Sequence, residues 1–215
     1  MIAVNPSDLS PTAQGRIEEI LTTSFPPEEL APVDWLMQSC ADGHRRLLVD
    51  DPIEPDALML LVDVDPKVRY LEYFAVHASK RNRGRGSAAL RALVGLDTTL
   101  DGYIFEVDAP GAGTDADDNR FRERRLGFYQ RNGASRSELS ALEIPATTED
   151  DSSVTLHMWP MWLPVRSVAA PNRDASVALY EIVLIESYLL SGDQARETLG
   201  MALAHPRGID PVNDL

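Results

Sequence analysis

The chain has 215 residues, 44% of them hydrophobic and 25% charged, with 13 glycines and 15 prolines. That apolar share excludes disorder along the whole length, and a single cysteine, Cys40, excludes a fold stapled by internal disulfides. The formal charge of −14, from 20 basic and 34 acidic residues, argues against nucleic acid as a partner, because such proteins carry a basic footprint.

The opening MIAVNPSDLSPTAQ has no basic segment ahead of an apolar one, as a signal peptide would. The longest apolar run, 175–190, is interrupted by Glu181 and Glu186 and falls short of the about 20 residues a bilayer span needs. The expectation is a soluble, cytoplasmic protein with no membrane partner. Residues 11–24 place Ile17, Ile20 and Leu21 at helical spacing behind Ser10 and Pro11, an N-cap and first-turn pair. A second helix is expected over 27–40, bent near Pro32. Strands follow at 45–50 and 57–64, then, after the Asp65-Pro66-Lys67 turn, at 68–76, the richest in β-branched and aromatic residues.

A glycine-punctuated turn, 82–86, opens a helix expected from Ser87 to Leu96, and Tyr103–Val107 reads as another strand. The stretch 109–119 is a loop of turn formers and acids. Residues 121–131 read as a helix ended by Asn132-Gly133, which suits a left-handed C-cap. Short strands are expected near 134–139 and 154–159. From about Arg166 the pattern becomes helical: Asp174 can cap a helix through Leu190, and Asp193 another through Ala204, stopped by Pro206. The first of these is apolar nearly all round and must be buried, either on its own domain or in a dimer.

Charge is unevenly spread. Residues 80–91 hold five basic and no acidic residues and residues 120–131 hold five basic and one acidic, so two windows carry half of the positive charge. Two arginine-rich places in an acidic chain suit a small anionic ligand, or are two solvated helix faces. The first window contains Arg81-x-x-Gly84-x-Gly86, set between a strand and a helix. Glycine lets the backbone approach a ligand and take positive φ, and N–H groups at a helix N-terminus attract phosphate. The P-loop pattern is absent, since no Gly-Lys-Ser or Gly-Lys-Thr occurs, and G-x-G-x-x-G is absent because Ala89 follows Gly84-x-Gly86.

What remains resembles the GNAT superfamily of acetyl-CoA-dependent N-acetyltransferases. The family's coenzyme segment V-x-P-x-x-[QR]-x-x-G-x-[GA] is matched by Val76 through Gly86, with Ala78 in place of the proline. Its second segment, a helix ending in an aromatic-Tyr pair and then glycine, is matched by Phe128-Tyr129 and Gly133, 43 residues beyond Gly86 at Tyr129. Arg85 stands where an aliphatic residue is common, and Arg122 where the family often has asparagine. The likeness spans about Ala13 to Trp162.

The resemblance implies an α+β fold, a mixed and mostly antiparallel twisted sheet flanked by helices, as a domain over 1–165; the helical pattern beyond it, outside the likeness, reads as a C-terminal extension over 166–215. It implies acetyl-CoA as co-substrate: Phe74, Ala75 and Val76 would meet the pantetheine arm, and Arg81, Asn82, Arg83, Gly84, Arg85, Gly86 and Ser87 the pyrophosphate. Tyr129 matches the tyrosine that protonates the leaving sulfur, though it also reads as a core aromatic beside Phe128. For the base, Glu72 shares strand parity with Phe74 and Val76, and Glu106 is its counterpart on the next strand. Glu28 and Glu29, with Asp115, Asp117 and Asp118, would face a cationic acceptor, a primary amine of a small molecule or peptide, or are solvated surface acids. The alternative is a module that binds acyl-CoA without chemistry. His44, His77, His157 and His205 are scattered, so no metal is expected. The C-terminal helices offer a possible homodimer contact.

Overall fold

The computed structural model describes residues 1–147 and 153–204. They form two compact units, Met1–Leu100 and, from Asp101 on, residues 101–147 together with 153–204.

In the first unit, strands β1 (Ile2–Val4), β2 (Arg46–Val49), β3 (Ala57–Asp65) and β4 (Val68–Val76) pair in that order, each antiparallel to the next. Helix α1 (Pro11–Thr22) starts as the sequence suggests, with Ser10 Oγ accepting from the Ala13 N–H at 3.2 Å. Helix α2 (Val33–Ala41) starts later than expected: Pro32 takes its N-cap and residues 27–29 form only a turn, since the residue before a proline is pushed out of helical conformation. Leu47, Val49, Leu58, Leu60, Tyr73 and Ala75 of the sheet pack on Ile17, Ile20 and Leu21 of α1 and on Leu36 and Cys40 of α2. Each fully buried aliphatic side chain there stabilises by about 1.5–3 kcal/mol. Helix α3 (Arg85–Leu96) buries Ala89, Leu90 and Leu93, none of them part of that layer, and lies on β3 and β4.

The β3–β4 register slips once inside β4. Leu60 opposes Tyr73 and Leu61 opposes Leu71, so Glu72 has no opposite number. An extra residue of this kind is a bulge, and it re-aims side chains.

In the second unit, β8 (Ser153–Pro164) is flanked on one edge by β5 (Gly102–Asp108) and on the other by β6 (Ser135–Arg136) and β7 (Leu142–Thr147), all antiparallel. Gly102 is required, because a Cβ there would lie 2.6 Å from the Trp162 ring. β8 runs well beyond the expected 154–159, while the strand expected at 134–139 shrinks to two residues. β7 was not expected; it contains Pro145, which a strand tolerates only where no ladder N–H is needed.

Helix α4 (Ala116–Arg131) starts before the expected Phe121, because Asp115 accepts from the N–H groups of Asp117 and Asp118 at 2.8 and 2.9 Å. Its end is as read, with Gly133 at φ 96°. Helix α5 (Arg173–Glu186) is capped by Asn172 rather than Asp174, through the Ala175 N–H at 3.0 Å. Helix α6 (Gly192–Ala204) is capped by Ser191 rather than Asp193: Ser191 Oγ accepts from the Gln194 N–H, and Gln194 Oε1 from the Ser191 N–H. His205 and Pro206, read as the stop after α6, lie outside the described residues. Both helices belong to the second unit, where Tyr180 donates to the Phe105 carbonyl at 2.8 Å and Ser140 to that of Ala202 at 2.7 Å. α5 buries Leu179, Tyr180, Val183 and Leu184 but leaves Ile182 and Ile185 exposed, so it is not covered on all sides as its composition suggested.

Candidate active site

β4 ends at Val76, and after a 3-10 turn at Ala78–Lys80 the backbone passes through two left-handed residues, Asn82 at φ 61° and Gly84 at φ 74°. Gly84 is the N-cap of α3, whose first residue, Arg85, lies two ahead of the expected start, and it makes no side-chain cap. α1, α4 and α5 all carry a capping side chain at this position. The first bond of α3 runs from the Ala88 N–H to the Gly84 carbonyl at 3.0 Å, so the N–H groups of Arg85, Gly86 and Ser87 have no partner within the helix. They sit at the positive end of its dipole, and a Cβ built at Gly84 meets nothing within 4 Å. Uncapped donors next to open space at Gly84 suit a diphosphate.

The strand leading into this turn also has an orientation. Val76 opposes Ala57, and the His77 N–H reaches the Asp56 carbonyl at 2.8 Å. In an antiparallel ladder that makes Val76 and Ala57 a non-hydrogen-bonded pair. The N–H and C=O groups of Phe74 and Val76 therefore point away from β3, as an arm lying along β4 requires. Ala75 is a correction: the same alternation turns its backbone groups toward Leu58, and its side chain is buried in the α1–α2 layer.

In the second unit, Tyr129 on α4 is buried, with its ring 4.7 Å from that of Phe105 and 5.2 Å from that of Phe128. Burial raises its phenol above the ordinary value, and the nearby Asp108 charge adds to this. Arg125 opposes both, first through its charge. A phenol so placed is protonated at neutral pH and can serve as a proton donor.

No family model matches this sequence, and no curated protein matches it. Solved structures do. A protein assigned to the GNAT family of acetyltransferases in Bacteroides thetaiotaomicron is similar at a TM-score of 0.67 and 25% identity, over 88% of this chain and 98% of that one. In fold this chain is similar to GNAT acetyltransferases. An aminoglycoside 6′-N-acetyltransferase complexed with coenzyme A is similar at 0.55 and 14% identity, over 80% of this chain and all (100%) of that one. The ribosomal-protein-S18-alanine N-acetyltransferase of Escherichia coli is similar at 0.50 and 15% identity, over 75% and 93%.

The cations around this turn are largely committed. Arg81 donates from Nε to the Val76 carbonyl at 2.9 Å and from a terminal nitrogen to Ser24 at 2.8 Å. Lys80 lies 3.1 Å from Asp56, and Arg85 3.3 Å from both Asp50 and Asp56. Arg83 is exposed. On α4, Arg122 pairs with Asp118 at 3.2 Å, Arg125 with Asp108 at 2.8 Å, and Arg120 with Asp117. The two arginine-rich windows are thus partly neutralised by nearby acids, while Arg83 is exposed and the first N–H groups of α3 carry no side-chain cap.

Glu72 departs from its expected place. The bulge breaks the parity with Phe74 and Val76, and both of its carboxylate oxygens are held by Arg45, at 2.7 and 2.8 Å. Both side chains are buried, at 5% and 4% exposure. Arg45 also donates to Ser39 at 2.9 Å and stacks on Trp35, 4.3 Å from its centroid, so Glu72 faces α2. Glu28 and Glu29 lie half-buried just ahead of α2, and the Glu29 carbonyl accepts the Tyr73 hydroxyl at 3.1 Å. Glu106 is buried in β5. Adjacent strand positions face opposite ways: Phe105 meets Tyr129, whereas the Glu106 charge acts on Tyr180 of α5. Asp115, Asp117 and Asp118 serve the start of α4.

Arg45, Arg125 and Asp108 were missed by sequence reading. Arg125 carried a signal, since it lies one helical turn before Tyr129; Arg45, 27 residues from Glu72, carried none. Among the described residues no cluster of three or more His, Cys, Asp or Glu is arranged to hold a metal, and no helix is long and apolar enough to cross a membrane.

Proposed function

We propose that the protein moves an acetyl group from acetyl-CoA to a primary amine by direct attack within a ternary complex. The observation that carries this is the uncapped, left-handed entry to α3 at Gly84, placed directly after a strand whose Phe74 and Val76 amides face away from β3. Asn82 to Ser87 would hold the pyrophosphate, and Phe74 and Val76 the pantetheine amides. The neutral amine nitrogen attacks the thioester carbonyl, the C–N bond forms and the C–S bond breaks. The departing sulfur takes the phenolic proton of Tyr129, which is restored from solvent. The attacking amine gives its proton to a glutamate, Glu72 or Glu106. Preorganised proximity supplies much of the rate.

Glu28 and Glu29 are proposed contacts for a cationic acceptor; their glutamine variants would raise the KM for the amine and leave that for acetyl-CoA unchanged. The direct test supplies acetyl-CoA with a panel of polyamines, aminoglycosides and peptides and follows free thiol. Acetylated product with at least one amine supports the reading. Tight coenzyme A binding with no turnover on any acceptor replaces it by a binding module.

A further inference from the structure

Tyr129 does not stand alone on its helix. Arg125, one turn earlier on the same face of α4, is three-quarters buried, and its guanidinium meets Asp108 at the end of β5 at 2.8 Å. Asp108 is itself nine-tenths buried and lies 3.8 Å from Arg122, so one carboxylate holds two arginines of α4. Through its charge, the Arg125 guanidinium also acts on the Tyr129 phenol one turn along the helix. Guanidinium has donors and no acceptor, so toward Arg125 the phenolic oxygen can only accept. Its own hydrogen is then left to be given to another group. We infer that Arg125, anchored by Asp108, is a positioning residue that fixes the Tyr129 phenol with its proton directed outward for transfer. The inference rests on Tyr129 as the proton donor.

The charges facing the phenol are Arg125 from its own helix and Asp108 from β5, with Arg122 reaching it only through Asp108. A cation beside a phenol favours tyrosinate and makes the phenol a stronger acid. Removing Arg125 therefore weakens the acid and lets the ring oxygen reorient. Because proton donation by a placed side chain contributes about 10²–10⁴-fold, losing the positioning alone is expected to lower kcat by about tenfold or more.

The test is a double-mutant cycle, Arg125→Met and Tyr129→Phe singly and together, with Arg125→Lys and Asp108→Asn, read by kcat across pH and by the 13C resonance of the Tyr129 ring. Expected are a fall in kcat for Arg125→Met at little change in acetyl-CoA KM, and a Tyr129 titration moved to higher pH. Partial rescue by Arg125→Lys and no further loss when Arg125→Met is added to Tyr129→Phe would complete the pattern. An equal loss from Arg125→Met with and without the phenol, or a Tyr129 titration that does not move, overturns the inference. Wild-type turnover in Tyr129→Phe would instead overturn the reading of Tyr129 as donor, and the inference with it. If no amine in the panel is acetylated, the ring titration still decides whether Arg125 acts on the phenol.

Discussion

Tyr129 and Glu72 show how differently two residues of one expected site can be made. Tyr129 is buried among aromatic rings with its proton kept on, and its replacement by phenylalanine removes one oxygen and little packing. Tyr129→Phe is expected to lower kcat by about 10²-fold or more while the calorimetric affinity for acetyl-CoA stays nearly the same. Glu72 is one half of a buried ion pair, and removing one partner strands the other charge. Arg45→Met is expected to cost about 3–5 kcal/mol, read as a drop in unfolding midpoint, and Glu72→Gln somewhat less because its amide can still accept. If Glu72 is the base, its glutamine variant loses turnover beyond what its lower stability explains; if Glu106 is, Glu106→Gln does so instead. Cys40, next to this pair, is pushed to about 12 chiefly by burial, so it is expected to resist a thiol reagent at pH 8 until the protein unfolds. Tyr129 was legible because its pattern is local. The place of Glu72 was not, since strand parity holds only while pairing is regular and a bulge needs the partner strand to be seen.

The strand–turn–helix element was the most legible part of the chain. β4 has the bounds that its residues suggest, and the glycine turn opens a helix as glycine and the following alanines and leucines require. What the sequence concealed was chosen by competition. Asn172 lies two residues before Asp174 and Ser191 two before Asp193, each an equally good N-cap, and only packing decides between such neighbours. β7 is visible only as the partner of β8, because Pro145 argues against a strand. The function of the turn can be separated from its strain. Gly84 at φ 74° and Gly133 at φ 96° are both left-handed, and a Cβ at either meets nothing within 4 Å. Substituting either by alanine costs a similar backbone penalty of about 1–2 kcal/mol. Only Gly84→Ala is expected to weaken coenzyme A binding, by about tenfold or more, because only there would a Cβ stand before the phosphate donors. Equal affinities of the two variants by calorimetry would show that the ligand does not approach at Gly84.

At the scale of the whole chain, the question is what residues 166–204 are for. The similarity to the Bacteroides thetaiotaomicron protein covers 88% of the chain, more than residues 1–165 alone provide, so it extends into some of this part. Its contacts are of the kind that stabilise: the Tyr180 hydroxyl satisfies the Phe105 carbonyl inside the second unit, and the Ser140 hydroxyl satisfies that of Ala202. A chain ending at Val165 would lose Leu179, Tyr180, Val183 and Leu184, all buried within the second unit. The truncated protein is expected to aggregate or to melt well below the full chain, whereas Tyr180→Phe, which strands one carbonyl, should cost only about 1–3 kcal/mol. α5 also carries Ile182 and Ile185 outward, at 39% and 37% exposure, with Leu189 at 66% just beyond its end. Such a stripe at helical spacing suits a two-fold contact between copies, and the homodimer proposed for these helices can be tested separately from folding. Ile182→Ser with Leu189→Ser should leave the thermal midpoint of the monomer unchanged and convert a dimer to a monomer in sedimentation. A wild-type protein that sediments as a monomer at high concentration would show that the stripe is ordinary surface.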